Sequence, residues 1–195
     1  ERMCLNMNEL TLRRLTMEQA EQIYTRYMKQ DFPRDELKPF AMIREADARG
    51  EYECIGCYDG DALCGYAYLV KLGREYLLDY FAVLSGLRGS GYGTRILNAL
   101  GKRYAESEAF LIESENPDFA ADADALQERQ RRMRFYLHAG CLDTGVTACV
   151  FGVEYRVLEL PLSGAHSQDA IRAVYMRLYK SFLSTPRYQR NITVH

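Results

Sequence analysis

Residues 77–100 read LLDYFAVLSGLRGSGYGTRILNAL. Leu77, Leu78, Tyr80, Phe81, Ala82 and Val83 make a short apolar run, suited to a strand covered on both faces. Gly86, Gly89, Gly91 and Gly93 follow closely. Ile96, Leu97, Leu100 and Tyr104 then recur at helical spacing. The pattern predicts a strand, a glycine-rich turn and a helix. Such a turn presents backbone N–H groups at the positive end of a helix, where a phosphate is favoured. The glycines also suit a tight turn that binds nothing, and Arg88–Gly93 alone does not decide between the two readings. No Gly-Lys-Ser/Thr follows, which excludes a Walker loop. Gly89-Ser90-Gly91 runs straight into Tyr92-Gly93, which is a poor dinucleotide fingerprint.

The bulk properties narrow the class. A chain of 195 residues suits one domain, with or without an appendage. A net charge of −2 gives no pull toward nucleic acid or an anionic membrane. No apolar run reaches the roughly 18–20 residues a membrane span needs, and the first residues show no signal-peptide pattern. Six cysteines scattered through apolar strands suit buried reduced thiols and a cytoplasmic setting. Cys54 and Cys57 share a predicted strand at an odd separation, which sends them to opposite faces and argues against a redox or zinc pair. His138, His166 and His195 are dispersed, so no metal site is expected.

Outward from the loop, the elements follow in order. Glu9–Leu15 alternates as a first strand. Thr16-Met17-Glu18-Gln19 is a capping box, and Ala20, Ile23, Tyr24, Tyr27 and Met28 line an amphipathic helix. A second helix is expected from Asp35 to about Arg49, with Pro39 in its first turn. Tyr52–Tyr58 and Ala62–Leu72 flank an Asp59-Gly60 hairpin turn. On the return strand, Leu63, Gly65, Ala67 and Leu69 should share one face, with Cys64, Tyr66, Tyr68 and Val70 on the other. Ala109–Glu115 should lie parallel beside Leu77–Val83, through the loop helix as crossover. Asp118–Asp124 reads as a loop or helix start, and the helix that runs to about Ala139 should bury Leu126, Gln130, Met133 and Leu137. Thr144–Gly152 and Val153–Leu160 form a hairpin. A helix over His166–Phe182 carries a stripe of Ile171, Val174, Tyr175, Leu178 and Phe182. Thr185–His195 reads as extended, with a last strand at Asn191–Val194.

Two motifs give this order a family. Arg88-Gly89-Ser90-Gly91-Tyr92-Gly93 matches Arg/Gln-x-x-Gly-x-Gly/Ala between a strand and a helix. Phe135-Tyr136, followed by Gly140-Cys141, matches a closing Phe-Tyr-x-x-x-Gly-Phe in which Cys141 replaces the last Phe. With the order β-α-α-β-β-β-α-β-α-β-β, the stretch Glu9–Leu160 resembles the GNAT superfamily of N-acetyltransferases. The resemblance implies an α/β fold: a mixed, mostly antiparallel sheet with a splayed parallel strand pair, flanked by helices. It implies an acetyltransferase domain over residues 1–161. Residues 162–195 are then a C-terminal helical extension, packed on the same domain or on a second subunit of a homodimer.

The resemblance also implies acetyl-CoA as co-substrate and an amine of a small molecule or peptide as acceptor, with no metal. Backbone groups of Arg88, Gly89, Ser90, Gly91, Tyr92, Gly93 and Thr94 would face the pyrophosphate. Phe81, Ala82 and Val83 would run beside the pantetheine arm, and Asn116 would bond its amides. Tyr136 would be the general acid. The base is open between Glu113 and Asp79, carboxylates within apolar strands where burial raises the pKa. Direct attack with a water chain is a third route. Tyr24, Tyr27, Tyr155, Tyr175 and Tyr179 could wall the acceptor pocket or serve as plain core. A non-catalytic acyl-CoA-binding module, or an interaction protein whose loop binds nothing, would carry the same elements.

Overall fold

The computed structural model describes residues 10–34 and 36–195; Glu9 and Asp35, where the first strand and second helix were expected to begin, lie outside them. The chain opens with β1 (Thr11–Arg14). Helix α1 (Met17–Ile23) starts at the predicted capping box, in which the Thr16 side chain accepts from Gln19 N–H and the Gln19 side chain from Thr16 N–H. It runs on through a π-helical turn (Tyr24–Met28) into a last turn (Lys29–Asp31). Then come α2 (Phe40–Ala48), β2 (Tyr52–Asp59), β3 (Ala62–Leu72) and β4 (Glu75–Val83). The glycine loop leads into α3 (Tyr92–Arg103), followed by β5 (Ala109–Glu115), α4 (Ala123–His138), β6 (Leu142–Val150) and β7 (Val153–Glu159). The chain closes with α5 (Gln168–Phe182), α6 (Thr185–Asn191) and β8 (Ile192–Val194).

Among the described residues eight strands make one sheet in the order β1-β2-β3-β4-β5-β7-β6-β8, mixed through one parallel strand pair, β4–β5. Each face buries its own core. Between the sheet and α1, α2 and α5 pack Ile23, Ile43, Tyr68, Leu77 and Leu178; between the sheet and α3 and α4 pack Ile55, Leu69, Ile96, Leu100 and Ile112. Burying such a side chain fully stabilises by about 1.5–3 kcal/mol. Cys54 and Cys57 fall in opposite cores, as the odd spacing requires. No helix among the described residues is long and apolar enough to cross a membrane.

Two irregularities shape the centre. The β3–β4 register shifts between Tyr68 and Leu69, which face Tyr80 and Leu78, so Asp79 is the extra residue of a β-bulge. The β4–β5 pairing runs only from Glu75↔Ala109 to Leu78↔Ile112, although both strands continue. The parallel pair therefore splays at its C-terminal end, as the resemblance implied.

Four local expectations are corrected. A second register shift at Cys57/Tyr58 leaves Cys64 unpaired, so Cys64 joins Ala67 and Leu69 under α3 while Leu63 packs on the opposite core. Helix α2 begins at Phe40, not Asp35, because Pro39 is extended (ψ 134°) and tyrosine hydroxyls satisfy the segment before it. Tyr80 OH accepts from Lys38 N–H and donates to Glu36 O, and Tyr24 OH donates to Lys38 O. In α4 the buried residues are Met133 and Tyr136, whereas Leu126 and Leu137 are 38% and 43% exposed. The tail after Ser184 is a short helix, with Pro186 tolerated in its first turn.

The close approach of β3, β4 and α3 rests on Gly65. A Cβ there would stand 2.6 Å from Ala82 O and 2.7 Å from Ile96 Cδ1. Gly65→Ala is expected to lose about 1–3 kcal/mol of unfolding free energy in urea titration, as overpacking does. An unchanged midpoint would contradict that packing.

Candidate active site

The splay and the loop open into one cavity of about 890 Å³. Past the bulge, Leu84 N–H donates to Cys64 O, so β4 turns its even-numbered backbone groups toward β3. By alternation, those of Phe81 and Val83 face the gap toward β5. Phe81, Ala82 and Val83 all line the cavity. At the far end of β4, Gly89 and Gly91 adopt left-handed φ of 79° and 85°, which side-chain-bearing residues rarely take. Gly91 is the N-cap of α3 and supplies no side-chain cap, so the first N–H groups of a 12-residue helix are left for a ligand. A Cβ on Gly93 would come within 3.0 Å of the Phe135 ring, which also lines the cavity. Arg88, Arg131 and Arg132 line the cavity, Arg88 paired with Asp31 and Arg132 with Glu115 and Glu128. A strand-like arm ending in a pyrophosphate fits this gap and loop.

At the fork of the strands stand two carboxylates. Asp79 is held by Lys38 Nζ at 2.6 Å and by Tyr52 OH at 2.6 Å. The Lys38 and Asp79 side chains are only 10% and 1% exposed. Burial, the largest single influence, lowers the Lys38 pKa, but the Asp79, Tyr80 and Glu113 charges and the Asp79 hydrogen bond together outweigh it and the net shift is upward, so the lysine stays cationic. Glu113, the first residue of β5 beyond the last paired one, is held differently. Its Oε1 accepts from Tyr175 OH and Tyr179 OH, both at 2.5 Å. Burial raises its pKa; Lys38 and the two phenols pull it down, Asp79 pushes it up, and the net shift is upward. A half-buried carboxylate with a raised pKa, facing a cavity, suits proton abstraction.

Tyr136 lies deeper than expected. It is 5% exposed, while its neighbour Phe135, expected as the core partner, is the half-buried one. Phe81 packs against both rings, with centroids 6.2 Å and 6.5 Å away. Burial pushes the Tyr136 phenol well above its ordinary value, against the pull of Arg132, so it stays protonated.

The cavity thus gathers Asp79, Phe81, Ala82, Val83, Arg88, Gly89, Gly91, Gly93, Thr94, Glu113 and Tyr136. Of the residues assigned to catalysis or co-substrate binding, three do not line it, nor do the suggested wall residues Tyr24, Tyr27, Tyr175 and Tyr179. Ser90 Oγ donates to Leu87 O, and Tyr92 OH donates to Asp59. Asn116 Oδ1 accepts from Asp118 N–H and Arg156 Nε, which makes it a turn residue. Tyr24, Tyr175 and Tyr179 are engaged by their hydroxyls, and Tyr155 lines the cavity. The sequence reading missed Lys38, Asp31, Phe151 and Arg187, which all line it. Phe151 and Gly152 take left-handed φ of 49° and 85° in the β6–β7 turn, the geometry of a two-residue type I′ hairpin. Lys38 had one sequence signal, a lysine held extended before a proline.

Comparison with known proteins agrees with this geometry. No curated protein matches the sequence at a significant level. Among solved structures, a GNAT-family acetyltransferase from Bacteroides thetaiotaomicron superposes with a TM-score of 0.65 at 20% identity, over 87% of this chain and 94% of that one. The ribosomal-protein-S18-alanine N-acetyltransferase of Escherichia coli gives 0.57 at 16% identity, over 80% and 96%. An aminoglycoside 6'-N-acetyltransferase complexed with coenzyme A gives 0.54 at 15% identity, over 80% and 99%. These likenesses are of fold. The sequence itself matches the model of the acetyltransferase (GNAT) family over residues 17–138, and the chain belongs to that family.

Proposed function

We propose that the chain is an N-acetyltransferase that moves an acetyl group from acetyl-CoA to a primary amine of a small molecule or peptide, by direct attack in a ternary complex. The observation that carries this reading is the fork of β4 and β5, which opens at Asp79 and Glu113 and leads in one cavity to the uncapped end of α3. The coenzyme A complex of the aminoglycoside acetyltransferase supports the choice of co-substrate.

The residues divide the work as follows. N–H groups of Gly91–Thr94 and the Arg88 guanidinium would hold the pyrophosphate. Backbone groups of Phe81 and Val83 would bond the pantetheine arm, and the Val83 N–H would polarise the acyl carbonyl. Bound acetyl-CoA supplies the thioester that makes the acetyl group transferable. Glu113 is the better base of the two carboxylates. Asp79 is already neutralised by Lys38, whereas Glu113 is held by phenols and not by an ion pair. Glu113 takes the proton of the incoming amine, and Tyr136 returns a proton to the departing sulfur. Tyr175 and Tyr179 position Glu113 and keep its pKa from rising further.

Four outcomes are expected. Amine-dependent release of free thiol from acetyl-CoA should be measurable with the wild-type chain. Tyr136→Phe should lower kcat by about a hundredfold or more while coenzyme A affinity barely changes; equal turnover would favour a binding module or another acid. The acid limb of the pH–rate profile belongs to Glu113 and should vanish in Glu113→Gln. Each tyrosine hydrogen bond stabilises the carboxylate, so Tyr179→Phe raises the Glu113 pKa and moves that limb to higher pH. A limb that stays in place would remove Glu113 from the base role.

A further inference from the structure

Arg88, the arginine of the glycine loop, is engaged in this structure by two other partners. Its Nε donates to Val83 O at 3.1 Å, and its Nη2 donates to Asp31 Oδ1 at 2.5 Å. Asp31 ends the last turn of α1, its side chain is 12% exposed, and its Oδ2 accepts from Tyr66 OH at 2.7 Å. Asp31, Val83 and Arg88 all line the central cavity. We propose that Arg88 is exchanged between Asp31 and the phosphates of the co-substrate, and that the uncovered Asp31 binds a second cationic group of the acceptor, which makes the acceptors diamines. The inference rests on the acetyl-CoA reading above.

The exchange follows from what the two hydrogen bonds occupy. The Val83 carbonyl faces the gap meant for the pantetheine arm, so entry of the arm competes for that partner. A pyrophosphate at the α3 terminus offers more negative charge than one carboxylate and competes for the guanidinium. When Arg88 leaves, Asp31 keeps the Tyr66 hydroxyl and loses its counter-ion. A mostly buried carboxylate without a cation is unfavourable, and a cation brought by the acceptor restores the pair. Co-substrate binding thereby strengthens acceptor binding, and the coupling is reciprocal.

Spacing makes this cation a second one. Tyr66, which carries Asp31, stands opposite Ala82. Ala82 lies three residues past Asp79 at the fork, or about 10 Å along a strand. Ion pairs form at about 4 Å or less, and Asp31 is held from β3 while Glu113 hangs from β5 with β4 between them, so each carboxylate is assigned its own cation. Phe32, Leu37 and Met42 line the same cavity and offer apolar walls for an alkyl spacer. With Arg88 gone, Asp31, Glu36, Asp79 and Glu113 outnumber Lys38 and Arg187 along the acceptor side, which favours a dication.

The test uses the 195-residue chain, coenzyme A, and α,ω-diaminoalkanes paired with n-alkylamines of the same length. By calorimetry, Asp31→Asn should tighten coenzyme A several-fold, since it frees Arg88 from a competing partner. Arg88→Gln should weaken coenzyme A, and adding Asp31→Asn to it should change nothing more. In kcat/KM, the wild-type chain should prefer diamines by about tenfold or more, and Asp31→Asn should use both amine types equally. Asp31→Ser serves as the second variant should the asparagine fail to fold. Coenzyme A affinity that is unchanged or weaker in the Asp31 variants overturns the exchange. Equal use of both amines by the wild type, a preference that survives at Asp31→Asn, or coenzyme A binding without turnover of any diamine overturns the acceptor assignment. A wild-type chain that binds no coenzyme A overturns acetyl transfer itself, and this inference with it.

Discussion

The parting of β4 and β5 after Leu78 and Ile112 is the constraint on which the site depends. A sheet ordinarily continues its ladder as long as both strands last, because unpaired backbone groups are costly when buried. Here both strands outrun their pairing, and the groups of Phe81 and Val83 are left facing a cavity. The same divergence brings Asp79 and Glu113 to the lip of the gap. The bulge at Asp79 adds to this by turning both Asp79 and Tyr80 toward α2 and α5. One face of the fork is then lined by charge and the other by the Phe81, Phe135 and Tyr136 rings.

The C-terminal residues, beyond the matched stretch of the family model, are tied into this centre. Helix α5 supplies both phenols that hold Glu113, and Phe182 packs on Tyr52, the partner of Asp79. Strand β8 pairs with β6, and Phe151 N–H donates to Asn191 O, which braces the β6–β7 turn at the cavity rim. Arg187 of α6 lines the same rim. Residues after 138, outside the stretch that the family model matches, thus hold Glu113 and line the rim of the cavity.

What the sequence reveals is what short-range pattern encodes. Strands β3 and β5 have the boundaries that alternation and turn residues predict. The capping box, the glycine loop and the stripe of α5 are likewise local signals. Asp79 was visible as a charge among apolar residues, and Glu113 as a carboxylate in a buried strand. Their partners were not visible. Lys38 reaches Asp79 from 41 residues away, and Tyr175 and Tyr179 reach Glu113 from 62 and 66. The stripe read along α5 included Tyr175 but not Tyr179, and nothing in it pointed to Glu113. Bulges escape periodicity because each inserts one residue without any mark in composition, which is why Leu63 and Cys64 exchange faces. The tail misread as extended is a helix because proline is as welcome in a first turn as in a loop.

Every proposed catalytic role depends on the fork and loop holding an acyl-CoA. The most direct measurement is the melting temperature of the 195-residue chain with acetyl-CoA, with coenzyme A and with NAD. A ligand at a hundredfold excess over its Kd adds about 2.7 kcal/mol of stability. A rise with acetyl-CoA and with coenzyme A, and none with NAD, is the predicted result. No rise with any of them would contradict the account and leave Arg88–Gly93 as a turn rich in glycine.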